Sequence, residues 1–188
     1  MAAAIRIEGY AIVSADGNIA GSDGIMPPTL QFEADQAHLA AALDAVDLLA
    51  HGAHSHEGQA QSTARRRLIM TRRTASLASD AAMSNALLWN PDGASLAQAC
   101  AAFGVRSGRI AVLGGPEVYR HFLEAGYDAF HLSRAGATVL SGGLALFGRR
   151  PVTETPDTLL ARHGLTPDAV QVLDAVHEVT LTVWRRRA

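Results

Sequence analysis

The chain has 188 residues, 48% of them hydrophobic and 18% charged, a length at which one domain buries roughly 70% of its unfolded surface without a disulfide or metal staple. A formal net charge of −2 argues against nucleic acid as the main partner. None of the sixteen basic residues is lysine, which excludes Schiff-base chemistry and a lysine-bearing phosphate loop, and a single cysteine, Cys100, excludes an internal disulfide.

Residues 1–10 carry Arg6 and Glu8 and lack the apolar stretch of a signal peptide, and no apolar run reaches membrane-spanning length, so a cytoplasmic protein is expected. The run 5–13 reads as a first strand. It leads into Ser14-Ala15-Asp16-Gly17-Asn18-Ile19-Ala20, in which Asp-Gly-Asn is first of all a turn signal. The chain continues through Gly21, Asp23 and Gly24 to Met26-Pro27-Pro28, a glycine-rich loop able to close over a site at the strand's C-terminal end. Structural turn and active-site loop are compatible readings.

The segment 32–46 is predicted helical, with Phe32, Leu39, Leu43 and Val46 marking an apolar stripe. Asp35 lies on that stripe, three residues after Phe32 and four before Leu39, and so faces inward. A carboxylate in an apolar cleft is costly without a partner, and desolvation moves its pKa toward acid–base work. On the residues alone, the plainer reading of a first-turn aspartate favoured by the helix dipole is preferred.

A strand over 46–50 precedes the polar loop 51–66, long for a connector. His51, His54, His56 and Glu57 are metal-ligating types, but their spacing matches no zinc motif and exposed loop histidines are expected. The strand 67–71 is flanked by Arg65, Arg66, Arg67, Arg72 and Arg73, which suit a solvated face or a bidentate clamp on a phosphate equally well. Further strands at 86–89, 109–113, 129–133 and 178–184 alternate with helices at 95–103 and 116–125, the pattern of an α/β sheet covered on both faces. Cys100 falls in an Ala-rich helical pattern and reads as an inert buried thiol. The last strand places Val179, Leu181 and Val183 on one face, as near a sheet edge. The segment 148–164, with Pro151 and Pro156, reads as a surface excursion.

In Leu113-Gly114-Gly115-Pro116-Glu117-Val118-Tyr119 a glycine pair separates an apolar run from a helix start. Glycine lets a ligand approach the main chain, and Pro116 preorganises the first turn without wasting an N–H. The free N–H groups and the helix dipole favour an anion there. A plain tight turn explains the pair alone equally well.

In order and spacing, Asp16-Gly17-Asn18-Ile19-Ala20, Met26-Pro27, Asp35 and Gly114-Gly115-Pro116-Glu117-Val118-Tyr119 together resemble the dihydrofolate reductase superfamily, which includes the reductase domain of riboflavin biosynthesis. The resemblance covers residues 5–148. It implies an α/β, dihydrofolate reductase-like three-layer fold, with a mostly parallel central sheet and an antiparallel C-terminal edge strand, in a single domain over 1–188. It also implies hydride transfer from NADPH to a pterin- or pyrimidine-like heterocycle, across a cleft at the strands' C-terminal ends. Residue by residue, Asp35 resembles the helix carboxylate that binds the heterocycle and supports its protonation, and Ser133 the hydroxyl beside it. Ala11, Ile12 and Ile19 resemble positions flanking the nicotinamide, with Tyr119 close by. Gly114 and Gly115 resemble the pair at the cofactor's diphosphate, often joined by a cis peptide. Gly52 matches the opening of a second phosphate loop, in which Ser55 retains a hydroxyl.

Two departures stand out. Ala53 occupies the place of an arginine that customarily meets the 2′-phosphate of NADPH; Arg72 and Arg73 are the available substitutes, and Thr71 beside them is also assigned to the cofactor. Pro28 replaces the usual aromatic after Met-Pro, which bears on folate recognition. The pattern Ser14-x-Asp16-Gly17-x-Ile19-Ala20 and the late Gly142-Gly143 before Leu146-Phe147-Gly148 look riboflavin-type, whereas Leu113 stands where that branch often has an acidic residue. The leading expectation is a stand-alone NADPH-dependent reductase like 5-amino-6-(5-phosphoribosylamino)uracil reductase, with no deaminase domain because one cysteine cannot supply its zinc set. A dihydrofolate reductase, favoured by Met26-Pro27 and Asp35, is the alternative, and a non-catalytic ligand-binding protein on the same fold is the alternative of another class. The expected partner is a small heterocyclic substrate, with neither nucleic acid nor membrane, and family analogy adds a homodimer.

Overall fold

The computed structural model describes residues 5–55, 61–148 and 154–187. In chain order its first elements are β1 (Ile5–Ser14), β2 (Asn18–Ala20), α1 (Glu33–Leu43), β3 (Leu48–Gly52), β4 (Arg67–Met70), β5 (Leu77–Ser79), β6 (Ala86–Trp89) and α2 (Leu96–Ala102). There follow β7 (Gly108–Val112), α3 (Pro116–Ala125), β8 (Ala129–Ala135), β9 (Leu144–Ala145), α4 (Pro156–Arg162), β10 (Leu165–Pro167), β11 (Gln171–Asp174) and β12 (Val179–Arg186).

The main sheet runs β10-β12-β8-β1-β7-β3-β4-β6-β5, with β11 also on β12. From β8 to β6 every pairing is parallel, whereas β12 runs antiparallel to β8 and β5 antiparallel to β6. Strands buried on both faces read as near-continuous apolar runs, as Leu48-Leu49-Ala50 and Ile110-Ala111-Val112 do. Alternation divides them between two layers. Tyr10, Leu49 and Ala111 pack with Leu43 of α1, and the intervening Val13, Leu48, Ile110 and Val112 pack with Cys100 of α2 and Phe122 of α3. The register sets Tyr10 beside His131 and Ile12 beside Ser133, so both pairs face the α1 layer.

Every strand and helix expected from the sequence is present, and Cys100 is fully buried. The segment 148–164 departs from its reading as an excursion. Pro156 is the first residue of α4, Thr155 caps it by accepting from the Thr158 N–H at 3.1 Å, and Leu159 and Leu160 are buried. Arg134 of β8 donates to Asp157 at 2.6 Å, which ties α4 to the sheet. Pro151 lies outside the described residues. Among the described residues no helix is long and apolar enough to cross a membrane.

β1 passes closest to its neighbours at Gly9, where a Cβ would overlap the buried Phe130 ring and meet the Tyr127 ring at 3.0 Å. Gly9→Val is therefore expected to destabilise by about 1–3 kcal/mol through overpacking. Calorimetry would read this as a fall of about 2–4 °C in Tm per kcal/mol. An unchanged Tm would contradict the packing of β1 against Phe130.

Candidate active site

The C-terminal ends of β1, β3, β7 and β8 open into a cleft of about 740 Å³, bordered by α1 and by the start of α3. Ligands of open α/β sheets bind beyond such strand ends.

The α3 side is built from backbone. The Gly114–Gly115 peptide is cis, in agreement with the resemblance. Gly114 has φ +101°, and a Cβ on it would stand 2.9 Å from the Tyr119 ring, so only glycine suits the position. Gly115 is the N-cap of α3 with no side chain capping it, and Pro116 follows at N1. The positive end of the helix dipole is thus left for an anion. The Gly52 N–H donates to the Gly114 carbonyl at 2.7 Å, and the Ser55 N–H closes a turn on the Gly52 carbonyl at 3.0 Å. Ser55, Gly114 and Gly115 line the cleft, and Gly52 stands directly behind them.

The arginines around β4 divide. Arg67 is buried and donates to the Ser62 carbonyl and hydroxyl, each at 2.6 Å, and its Nη1 lies 3.4 Å from His51 Nε2. Arginine can only donate, so His51 accepts there and donates from Nδ1 to the Gly52 carbonyl at 2.9 Å. Arg65 pairs with Asp44 at 3.0 Å, and Arg66 donates to the Phe103 carbonyl at 3.4 Å. These three brace β3, β4 and their surroundings, and none of them lines the cleft. Thr71, Arg72 and Arg73 do not line the cleft. Arg72 and Arg73 are exposed, and their segment leaves the sheet just after Met70, the partner of Gly52.

The α1 side carries the polar groups. Asp35 is buried at 7% exposure, as the inward stripe predicts, with the Ser133 hydroxyl acting on its carboxyl. Burial pushes its carboxyl above the ordinary range, against the opposing effects of the Ser133 hydrogen bond and nearby His38. The Tyr119 hydroxyl donates to the Tyr10 carbonyl at 2.5 Å, and burial followed by the charge of Asp35 keeps it protonated. Ala11, Ile12 and Ile19 complete the cleft's apolar wall.

The loop after β1 is a scaffold. The Ser14 hydroxyl and the Leu140 N–H both donate to Asp16 Oδ1, at 2.6 and 3.0 Å, and Asn18 Nδ2 donates to the Leu140 carbonyl at 2.9 Å. Burial raises the Asp16 pKa, but these bonds outweigh it and hold the carboxyl below its ordinary value. The network aligns β2 with β9, opposing Ala20 to Leu144, and both residues line the cleft with Ile19. Pro28 opens a short 3-10 turn, Pro28–Leu30, whose Leu30 is fully buried.

Sequence reasoning missed Tyr10, His38 and His131. All three line the cleft: the Tyr10 ring stacks on His131 at 4.4 Å, and His38 Nε2 lies 3.1 Å from His131 Nδ1. Burial, then His38 and Arg185, pull the His131 pKa down to about 4. The available signals were spacing from known positions, since His131 is two residues before Ser133 in β8 and His38 one turn after Asp35 in α1. His54 also lines the cleft, while His56 and Glu57 lie outside the described residues. Among the described residues, no three His, Cys, Asp or Glu side chains form a group able to hold a metal ion.

No protein-family model matches the chain, and no curated protein matches it by sequence. Solved structures do match in shape. A pyrimidine reductase-like protein from Corynebacterium diphtheriae superposes with a TM-score of 0.67 at 14% identity, over 97% of this chain and 92% of that one. Dihydrofolate reductase from Enterococcus faecalis, complexed with NADP(H), superposes with a TM-score of 0.64 at 14% identity, over 97% of each chain. A diaminohydroxyphosphoribosylaminopyrimidine deaminase/5-amino-6-(5-phosphoribosylamino)uracil reductase from Thermotoga maritima gives a TM-score of 0.63 at 16% identity, and 98% of this chain spans 57% of that protein's length. Order, register and these superpositions agree that the chain has the dihydrofolate reductase-like fold, the fold of pyrimidine reductase-like proteins and of dihydrofolate reductase itself.

Proposed function

We propose that residues 1–188 act as one domain, an NADPH-dependent reductase that delivers hydride to a substrate built on a pyrimidine- or pterin-like heterocycle, in the manner of 5-amino-6-(5-phosphoribosylamino)uracil reductase. One observation carries this reading: a buried carboxyl, Asp35, shares a cleft with a glycine pair at an uncapped helix start. Backbone at Gly114 and Gly115, with Ser55, suits a diphosphate. The wall of Ala11, Ile12 and Ile19, with Tyr119, suits the nicotinamide.

Reduction adds a hydride and a proton to the substrate, to a ring C=N of a dihydropterin or, in 5-amino-6-(5-phosphoribosylamino)uracil, to the ribosyl carbon and amino nitrogen of its open-chain imine. Bound NADPH supplies the hydride, and the protein supplies alignment and charge placement. Asp35, raised by burial, holds a proton more readily than an exposed carboxylate, and the Ser133 hydroxyl favours its ionised form. Its carboxyl accepts the heterocycle's N–H edge when ionised and supplies the proton when neutral.

A screen of NADPH oxidation with 5-amino-6-(5-phosphoribosylamino)uracil, pyrimidine analogues and dihydropterins tests the reaction, with turnover of the first expected. Turnover of dihydrofolate alone would move the assignment to a folate reductase. NADPH binding with no turnover across the panel would support a binding protein instead.

Arg72 and Arg73 follow Met70, whose partner Gly52 opens the Ser55 turn, which suits them to the 2′-phosphate in place of the residue at Ala53. Joint replacement by alanine is expected to shrink the preference for NADPH over NADH about 10- to 100-fold, the worth of a charge-assisted hydrogen bond. An unchanged preference, measured by titration with both cofactors, would remove the two arginines from the site.

A further inference from the structure

The reading above uses Asp35 and Ser133 but leaves a histidine pair unexplained in the same cleft. His38 Nε2 and His131 Nδ1 are 3.1 Å apart. Behind them the Tyr10 ring stacks on His131, and the Tyr10 hydroxyl donates to buried Glu8 at 2.7 Å. Tyr10 and His131 are register partners on adjacent strands, so this backing is part of the sheet. Among the described residues His38 Nδ1 and His131 Nε2 have no hydrogen-bond partner, and neither atom is buried, so both are open to the cleft that the two residues line.

We propose that His38 is a second contact to the heterocycle: His131 fixes one of its ring nitrogens, and the other takes the oxo or amino substituent beside the ring edge that Asp35 binds. His131 is the positioning residue for this contact. The inference rests on the reading of Asp35 as the heterocycle's anchor. Geometry favours it, because side chains three apart on a helix have Cβ atoms about 5–6 Å apart, within reach of neighbouring positions on one six-membered ring. Proton accounting favours it as well. Burial keeps His131 neutral, and a neutral partner would share one proton with it across the 3.1 Å contact. With that proton on His38, its Nδ1 accepts a hydrogen bond, and with the proton on His131, His38 Nδ1–H donates one. The pair therefore meets an amino group or a carbonyl without a change of charge.

Calorimetric titration of the NADPH-saturated protein with three small probes tests this: 2-aminopyrimidine, 2,4-diaminopyrimidine and 2-amino-4-oxopyrimidine. The two 4-substituted probes are expected to bind about tenfold more tightly than 2-aminopyrimidine, the worth of one good net hydrogen bond. His38→Leu is expected to erase that preference while leaving 2-aminopyrimidine unchanged, His38→Gln to restore part of it, and His131→Leu to reduce it. Equal weakening of all three probes by His38→Leu, or no change in any, would overturn the assignment of His38. If Asp35→Asn weakened every probe while His38→Leu kept the preference, the histidine contact alone would fail. If the wild-type protein bound no probe, or Asp35→Asn altered none, the heterocycle reading itself would fall and this inference with it.

Discussion

Asp35→Asn is expected to lower turnover of the heterocycle by about 10²- to 10⁴-fold, the usual worth of a positioned acid–base group, while leaving NADPH affinity unchanged. The separation follows from position. Asp35 and Ser133 line the cleft on the α1 side, whereas Gly114 and Gly115 precede α3 and Ser55 follows β3. Asparagine keeps the size and can still bond Ser133, but it cannot hold or release the proton. The same substitution has a pH signature. Burial raises the Asp35 pKa above its ordinary value of 3.8, so between the two values the folded state binds more protons than the unfolded state. Stability therefore falls as pH rises from 3.8 through the folded-state value, and the cost is fully present above it. Asp35→Asn should remove that slope and raise Tm at neutral pH. His131, whose lowered pKa acts in the opposite direction on acidification, is common to both proteins and cancels in the comparison. Stopped-flow turnover, cofactor titration and thermal melts across pH read these effects separately. Loss of NADPH affinity as large as the loss of turnover would contradict the separation.

Gly115→Leu is expected to produce the converse, a loss of NADPH affinity of about 100-fold, with turnover at saturating cofactor much less affected. Gly115 has φ −72°, which any residue adopts, and a Cβ there has the Ser55 hydroxyl at 3.8 Å as its nearest neighbour. A leucine would consequently occupy the space before the α3 dipole instead of displacing protein. Charge-assisted hydrogen bonds from that backbone are worth about 1.5–3 kcal/mol, whose upper end sets the expected factor. Gly114→Ala differs in kind, since its Cβ meets the Tyr119 ring and its φ of +101° disfavours any side chain, so Tm should fall with affinity. Calorimetric titration beside a thermal melt distinguishes the two. Full NADPH affinity in Gly115→Leu would place the diphosphate elsewhere.

Features carried by local periodicity or backbone chemistry were legible in the sequence. Asp35 was inward because Phe32, Leu39 and Leu43 set the helix phase, and it is buried, as is Leu43 two turns further on. The glycine pair before Pro116 announced an uncapped helix start, which α3 has. Features that depend on remote pairing were not. His38 and His131 are 93 residues apart, and their contact follows from the register of β8 on β1. β2 and β9 have three and two residues, too short to show alternation, and their alignment depends on Asp16 reaching Leu140. Arg67 sat in a run of three arginines that suggested a solvated face, yet as the first residue of β4 it turns into Ser62 and His51. The prolines of 148–164 suggested an excursion, but Pro156 suits the first turn of α4 because its missing N–H is not needed there.

The most direct test of the central claim, that one cleft seats a nicotinamide dinucleotide opposite Asp35, is a calorimetric titration of the purified protein with NADPH. The expected result is saturable one-to-one binding, micromolar or tighter, weakened by Gly115→Leu and unaffected by Asp35→Asn. Absence of saturable binding, or binding equally indifferent to both substitutions, would contradict it.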